Sequence, residues 1–382
     1  MTERILKYIE SNKEACLQTL RELCRIPAPS HHEEKRAAYC LEFFKKIGAE
    51  GAYIDEALNV VFPFCCEGSR DILAVCAHTD TVFPDTEPLP YEEDDEYIRC
   101  PGVGDDTWEL AVLLYAAKFF VENKIAPRGG ILFICNSCEE GLGNLKGTKQ
   151  IFADYEGRIS RFISYDSSMT AIADQCVGSH RYKVEVTTCG GHSYGAFGNP
   201  NAIHELSRIV SAIYDLELPQ AEGAKTTYNV GNISGGTSVN TIAQSAEMLC
   251  EYRSNNADCL AYMQKKFEEI FQNAQSDRAS VKVTVIGKRP CGIAKKEEVD
   301  ALKAIAQRIM EEVTGEEIVC RPSSTDCNIP LSLGIPAICI GTKISGGTHT
   351  REEWAKKSVM PLGLQIGIRA LYETACSDVC RR

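Results

Sequence analysis

Residues 71–82 read DILAVCAHTDTV. The stretch from Ile72 to Ala77 carries no charge and no turn former, has the length of a strand, and stops at His78, Thr79 and Asp80. A short run that is apolar on both faces fits a strand buried on both faces, as in the middle of a parallel sheet. The pattern recurs along the chain. The apolar run 130–136 is followed by Glu139 and Glu140, ISRFISY (159–165) by Asp166, and the run 336–340 by the turn GTKISGGTHT that holds His349. Between these runs lie helical patterns, EEKRAAYCLEFFKKIG ending at Gly48 and TWELAVLLYAAKFFVE over 107–122. Strands alternating with helices predict an α/β domain with a mainly parallel sheet flanked by helices. Ligands of such sheets bind at the carboxyl ends of the strands.

The texture changes near residue 178. RYKVEVTT alternates apolar and polar residues, as in a strand with one wet face. It is followed by a helical stretch after Pro200, strands around 226–233 and 246–253, a helix at 257–275 and a strand at 281–286. These predict an inserted smaller α/β domain over 178–287 with an antiparallel sheet. Residues 1–177 and 288–382 then form the main domain. The second of these pieces reads as helix 296–313, strand 317–320, helix 325–333, strand 336–340 and a last helix 352–376.

Composition excludes several classes. The 382 residues carry a net charge of −12, which disfavours duplex nucleic acid and anionic membrane as partners. No run is long and uncharged enough to span a bilayer. The first 24 residues read as an amphipathic helix, with Ile5, Leu6, Ile9, Leu17, Leu20 and Leu23 at helical spacing, and not as a secretion signal. The 19 cysteines are odd in number and scattered through apolar runs. They read as reduced, buried thiols of a cytoplasmic protein.

The polar residues that end the apolar runs carry the chemistry. His78 and Asp80 are two apart and share a side of the strand end, so the carboxylate can orient the imidazole of a metal ligand; a hydrogen-bonded core histidine beside a turn is the plainer alternative. Asp105 and Asp106 precede a helix and would serve equally as its cap. Glu139 and Glu140, adjacent at a strand end, repel each other unless a cation compensates. In a dinuclear site one can bind metal while the other takes a proton from water. Cys135 and Cys138 form a lone C-x-x-C in a buried run, which reads as packing. Five strand ends or adjacent turns thus offer His, Asp, Glu, Asp and His. In a parallel sheet they meet on one rim. Imidazole with carboxylate suits zinc best, manganese and cobalt next.

HTDTV, EEGLG and GGHSYGAFGNPNAI, in this order and with GGTHT near the end, resemble the dinuclear zinc peptidase and deacylase family of aminotripeptidases, carboxypeptidase G-type enzymes, aminoacylases, acetylornithine deacetylase and succinyl-diaminopimelate desuccinylase. The likeness covers nearly the whole chain. It implies that His78, Asp105 and Asp166 hold one zinc ion, that Asp105 bridges to a second, and that Glu140 and His349 complete the second. Glu139 would be the general base, with Asp80 orienting His78. The inserted domain would mediate a homodimer and supply His192 as an oxyanion donor. Asn240 and Arg253 would meet the substrate, although Arg253 could equally form a surface ion pair. Loops with Thr325, Asp326 and Gly347 would line the pocket. Thr107, Trp108 and Glu109 stand where many members have lysine and glycine, which bears on substrate class. An aspartate at position 166 points to a peptidase acting on short peptides, with an N-acyl-amino-acid deacylase as the alternative. A binding protein that keeps the fold without catalysis would have lost a ligand or the base, and all six positions are filled here.

Overall fold

The structure is a computed structural model that describes residues 1–376. The chain divides into two compact units, one formed by Met1–Cys176 with the chain from Ile293 onward, the other by Val177–Gly292. The first unit is built on an eight-stranded sheet. Its strands are β1 (Tyr53–Ile54), β2 (Val60–Phe64), β3 (Ile72–His78), β4 (Gly130–Asn136), β5 (Ile159–Tyr165), β6 (Ala171–Cys176), β7 (Val319–Ser323) and β8 (Ala337–Ile340). They lie in the order β1-β2-β4-β3-β5-β8-β6-β7. The four middle strands β4, β3, β5 and β8 are mutually parallel, and every residue of β3 and β4 is buried. The apolar runs therefore mark the sheet centre.

The flanks are antiparallel, with β2 opposing β4 and β6 opposing β8. Neither β2 nor β6 is evident in the sequence. Pro63 argues against a strand, but β1 pairs only with Val60 and Val61, which leaves Pro63 on an open edge where a missing N–H costs nothing.

His78 stands opposite Asn136 and Ile340 opposite Tyr165, so the parallel strands finish along one rim. Helix Glu109–Glu122 is buried along most of its length. Phe120 meets Phe133 at 5.8 Å and Phe64 at 6.2 Å, while Phe62 stacks on Phe133 at 5.7 Å. Each such ring pair contributes about 0.5–1.5 kcal/mol beyond its burial, which holds the helix to the sheet. The N-terminal helix Thr2–Cys24 buries Ile5, Ile9, Leu17, Leu20 and Leu23 of the stripe its spacing predicts, while Leu6 is exposed. Cys76, Cys135, Cys138 and Cys339 are buried packing residues, and no described helix is long and apolar enough to cross a membrane.

The last helix differs from expectation. It runs Met360–Cys376, and Trp354–Lys356 is instead a strand in a small sheet with Ser345–Gly346, Tyr97–Arg99 and Glu92–Glu93. Pro361 is the reason: proline breaks a helix interior but is well placed in a first turn. The helix expected over 325–333 shortens to Asn328–Ser332, because Asn328 Oδ1 accepts the Thr325 N–H at 2.9 Å and holds the preceding residues in a turn.

The second unit is a four-stranded antiparallel sheet in the order Thr226–Gly235, Ser245–Ser254, Gly178–Thr188, Ala279–Arg289. Helices Ala202–Tyr214 and Ala257–Ala274 complete it, sharing a core with Val184, Val186, Met248 and Tyr252 through Leu206, Ile209, Met263 and Phe267. Asn201 caps the first helix by accepting from the N–H of Ile203 and of His204.

Candidate active site

The rim of the sheet gathers the residues that end the apolar runs. His78 is the last residue of β3, and its Nε2 lies 3.0 Å from Asp105 Oδ1. Its Nδ1 lies 3.0 Å from the Asp80 carbonyl and 3.4 Å from Asp80 Oδ1, so a proton on Nδ1 leaves Nε2 for a metal. His78, Asp105, Asp106 and Asp166 each offer a donor atom, all within 4.8 Å of one another. Asp166 follows β5 directly, its N–H donating to the Ile340 carbonyl of β8 at 3.0 Å.

Asp105 belongs to a second group as well. Asp105, Glu140 and His349 also offer atoms within 4.8 Å of one another. His349 Nε2 is 3.0 Å from Asp105 Oδ2 and 3.1 Å from Glu140 Oε1. The two groups therefore share Asp105, one oxygen facing His78 and the other His349. Capping does not account for either aspartate, since helix Glu109–Glu122 has no side-chain cap bond. The Asp105–Asp106 peptide is cis.

Asp80 does more than face His78. Its Oδ1 accepts the Glu139 N–H and its Oδ2 the Glu140 N–H, both at 3.0 Å, and Ser30 Oγ donates to Oδ2 at 2.6 Å. One buried carboxylate thus fixes the turn that carries both glutamates, each 5 % exposed. His349 sits on a turn where Gly347 has a φ of +72°. A side chain at 347 would be strained there, so this glycine serves the turn that delivers His349.

The electrostatics show what the cluster lacks. Burial and the nearby Asp105 push Asp166 up to about 8. Burial and Asp105 likewise raise Glu140. Hydrogen bonds to Asp105 and Glu140 push His349 up to about 10. For His78, burial opposes protonation, but Asp106, Asp105 and Asp80 together raise it well above the ordinary histidine value. Without metal, protons on two imidazoles stand where positive charge is required. Imidazole nitrogens interleaved with carboxylate oxygens form a donor set suited to zinc and similar divalent ions, and the residues fit two such ions.

Other residues stand behind the donors, and of these Ser30, Glu33, Arg36 and Lys343 gave no sequence signal. Asp106 accepts the His78 N–H at 3.0 Å, and Lys343 Nζ lies 3.3 Å from its other oxygen. Glu33 Oε1 accepts the Cys138 N–H at 3.0 Å, and Arg36 donates to the Thr79 carbonyl at 2.9 Å. Ser30, Glu33 and Arg36 thus brace the two catalytic-side turns from behind. Their bonds to Asp80, Cys138 and Thr79 span 43 to 105 positions of the chain, which no local pattern announces.

The remaining predicted residues divide. In the second unit His192 pairs with Thr241, and the Ser193 N–H donates to the Asn240 carbonyl at 3.0 Å, so His192 and Asn240 are neighbours. His192 is exposed, and its Nδ1 accepts from the N–H of Tyr194 and of Gly195 at 3.3 Å. Arg253 directs its fork at Glu251, Nε to Oε1 at 2.7 Å and Nη2 to Oε2 at 3.1 Å, the ion pair that was its alternative. Thr325 and Asp326 are buried. Thr325 Oγ1 accepts the Cys327 N–H, and Asp326 accepts from Asn136 Nδ2, at the end of β4, at 2.7 Å and from Thr148 Oγ1.

A parallel-sheet rim with two carboxylate-and-imidazole groups sharing one aspartate defines a hydrolase of the metallopeptidase and amidohydrolase class. The chain belongs to peptidase family M20/M25/M40, whose profile matches residues 74–373. It is 24% identical over 343 residues to succinyl-diaminopimelate desuccinylase of Corynebacterium glutamicum, covering 87% of this chain and 89% of that one. Its fold is similar to that of a tripeptidase of Staphylococcus aureus, with a TM-score of 0.74 at 22% identity over 97% of this chain and 99% of the other. It is also similar to a dinuclear metal binding peptidase of Bacillus subtilis, with a TM-score of 0.63 at 14% identity over 96% and 99% of the two chains.

Proposed function

We propose that this chain is a two-zinc peptidase that hydrolyses short peptides with a free amino end. The observation that carries this is the position of Asp105 between two donor groups, with His78, Asp106 and Asp166 on one side and Glu140 and His349 on the other. His78, Asp105 and Asp166 would hold one ion, and Asp105, Glu140 and His349 the second; manganese or cobalt suits the same donors. Ions bound there would supply Lewis acidity, easing the ionisation of water and polarising the amide carbonyl.

The chain's own residues do the rest. Glu139, on the turn clamped by Asp80, takes the proton of the attacking water and returns it to the leaving nitrogen. Asp80 keeps His78 in the tautomer that presents Nε2. His192 donates to the developing oxyanion. Asn240, beside it, and Gly347, on the His349 turn, contact the substrate. Arg253 joins them only by exchanging Glu251 for a substrate carboxylate, and Thr325 acts through the loop it braces. A cytoplasmic homodimer, assembled through the inserted domain, completes the proposal.

An aspartate at position 166, rather than glutamate, favours a peptidase. The similarity to a desuccinylase supports the second reading, an N-acyl-amino-acid deacylase on the same centre. Metal-free protein reloaded with zinc and offered di- and tripeptides beside acetylated and succinylated amino acids separates them. Glu139→Ala should keep both ions and lose turnover by about 100- to 10,000-fold. Full activity in that variant would remove Glu139 from the mechanism, and cleavage of acyl-amino acids alone would decide for the deacylase.

A further inference from the structure

Glu353 is wholly buried, four residues beyond His349. Its carboxylate accepts three backbone N–H bonds from the segment that leads into Asp105. Gly102 N donates to Oε2 at 2.7 Å, and Gly104 N and Asp105 N donate to Oε1 at 2.8 Å each. Its backbone carbonyl accepts the Cys100 N–H at 3.0 Å. These hydrogen bonds join segments 248 to 251 positions apart in the chain. Gly104 makes the approach possible: a Cβ there would lie 2.8 Å from Glu353 Oε1 and 2.8 Å from Ser345 Cβ.

We propose that Glu353 is a positioning residue for the second ion, fixing the separation of Asp105 and His349 by tying the backbone of one to the turn of the other. The inference rests on the dinuclear reading above. Glu353 meets no reacting atom and acts through the Asp105 N–H and the 345–353 turn. The location of the damage separates this role from a plain brace. The site of His78 and Asp166 takes those donors from the ends of β3 and β5, which Glu353 does not bond. The Glu140–His349 site has both Asp105 and His349 on elements that Glu353 joins.

The test is a calorimetric titration of zinc(II) into the metal-free full chain, as wild type, Glu353→Gln and Gly104→Ala, with His349→Ala identifying which step belongs to the second site. Glutamine keeps the size but replaces one carboxylate oxygen by an NH2, which cannot accept the N–H bonds that this oxygen held. Alanine at 104 displaces the carboxylate without removing it. In both variants the second-site step should weaken by about 10- to 100-fold, the usual cost of losing a partner behind a metal ligand, and by more than the other step, which shares Asp105 but takes His78 and Asp166 from strand ends. Variants that are folded by circular dichroism and keep both affinities, or lose both equally, overturn the assignment. If Glu353→Gln does not fold, Gly104→Ala decides by the same two criteria. A wild type that binds fewer than two ions fails the dinuclear reading itself and takes this inference with it.

Discussion

His349 illustrates how one residue reports on the whole centre. Its imidazole lies 3.0 Å from Asp105 and 3.1 Å from Glu140, and those contacts raise it to about 10 from an unfolded value near 6.5. A raised pKa means that the metal-free fold holds this proton more tightly than the unfolded chain does. The associated stability is complete below about pH 6.5 and disappears as pH climbs through about 10. Metal-free protein should therefore melt at a lower temperature at pH 10 than at pH 7, and His349→Ala should flatten that difference. Zinc requires neutral imidazoles and ionised carboxylates, so its uptake near pH 7.5 should expel protons from His78 and His349, and from Asp166, which burial and Asp105 push up to about 8. Binding enthalpies that do not vary with the ionisation heat of the buffer would contradict this. At this scale the sequence was readable where an apolar strand ran into a polar side chain, as at His78, Asp80 and Asp166. Ser30 and Glu353 were not readable, because their partners are Asp80 and backbone N–H groups brought close only by the fold.

Among the elements, the junction of β8 with helix Glu109–Glu122 is held by buried charge. Lys343, three residues past β8, places Nζ 3.3 Å from Asp106 and 3.7 Å from Glu109. Glu109 Oε1 in turn accepts the Thr342 N–H at 2.8 Å. The sequence showed Glu109 only as a departure from the family pattern; the fold gives it a partner. Lys343→Met would leave two buried carboxylates without their cation and should cost about 3–5 kcal/mol, read from chemical denaturation, with part recovered by adding Glu109→Gln. Unaltered stability in the single variant would refute the buried-charge account. Long apolar runs disclosed the strands at the sheet centre and helix Glu109–Glu122. Two- and three-residue strands such as Ser345–Gly346 and Trp354–Lys356 have no period to detect, and they turned an expected helical start at 352 into a sheet.

For the whole molecule, residues from 78 to 349 reach one rim because four parallel strands end there. The architecture persists between this chain and the Staphylococcus tripeptidase at 22% identity. Burial pattern and strand order preserve it, and most surface identities are free to drift. Substrate choice was less legible than metal binding, since the groups proposed for it, such as His192 and Asn240, are exposed and their type and spacing carry no charge imperative. The groups proposed as metal donors do carry one: the carboxylates crowded together at positions 105, 140 and 166 demand cations. Anomalous diffraction at the zinc edge, from crystals of reloaded protein, tests that demand most directly. Two peaks are expected, both about 2.0–2.2 Å from Asp105 oxygens, one also contacting His78 and Asp166, the other Glu140 and His349. A single peak, no peak, or zinc bound away from Asp105 would contradict the dinuclear centre.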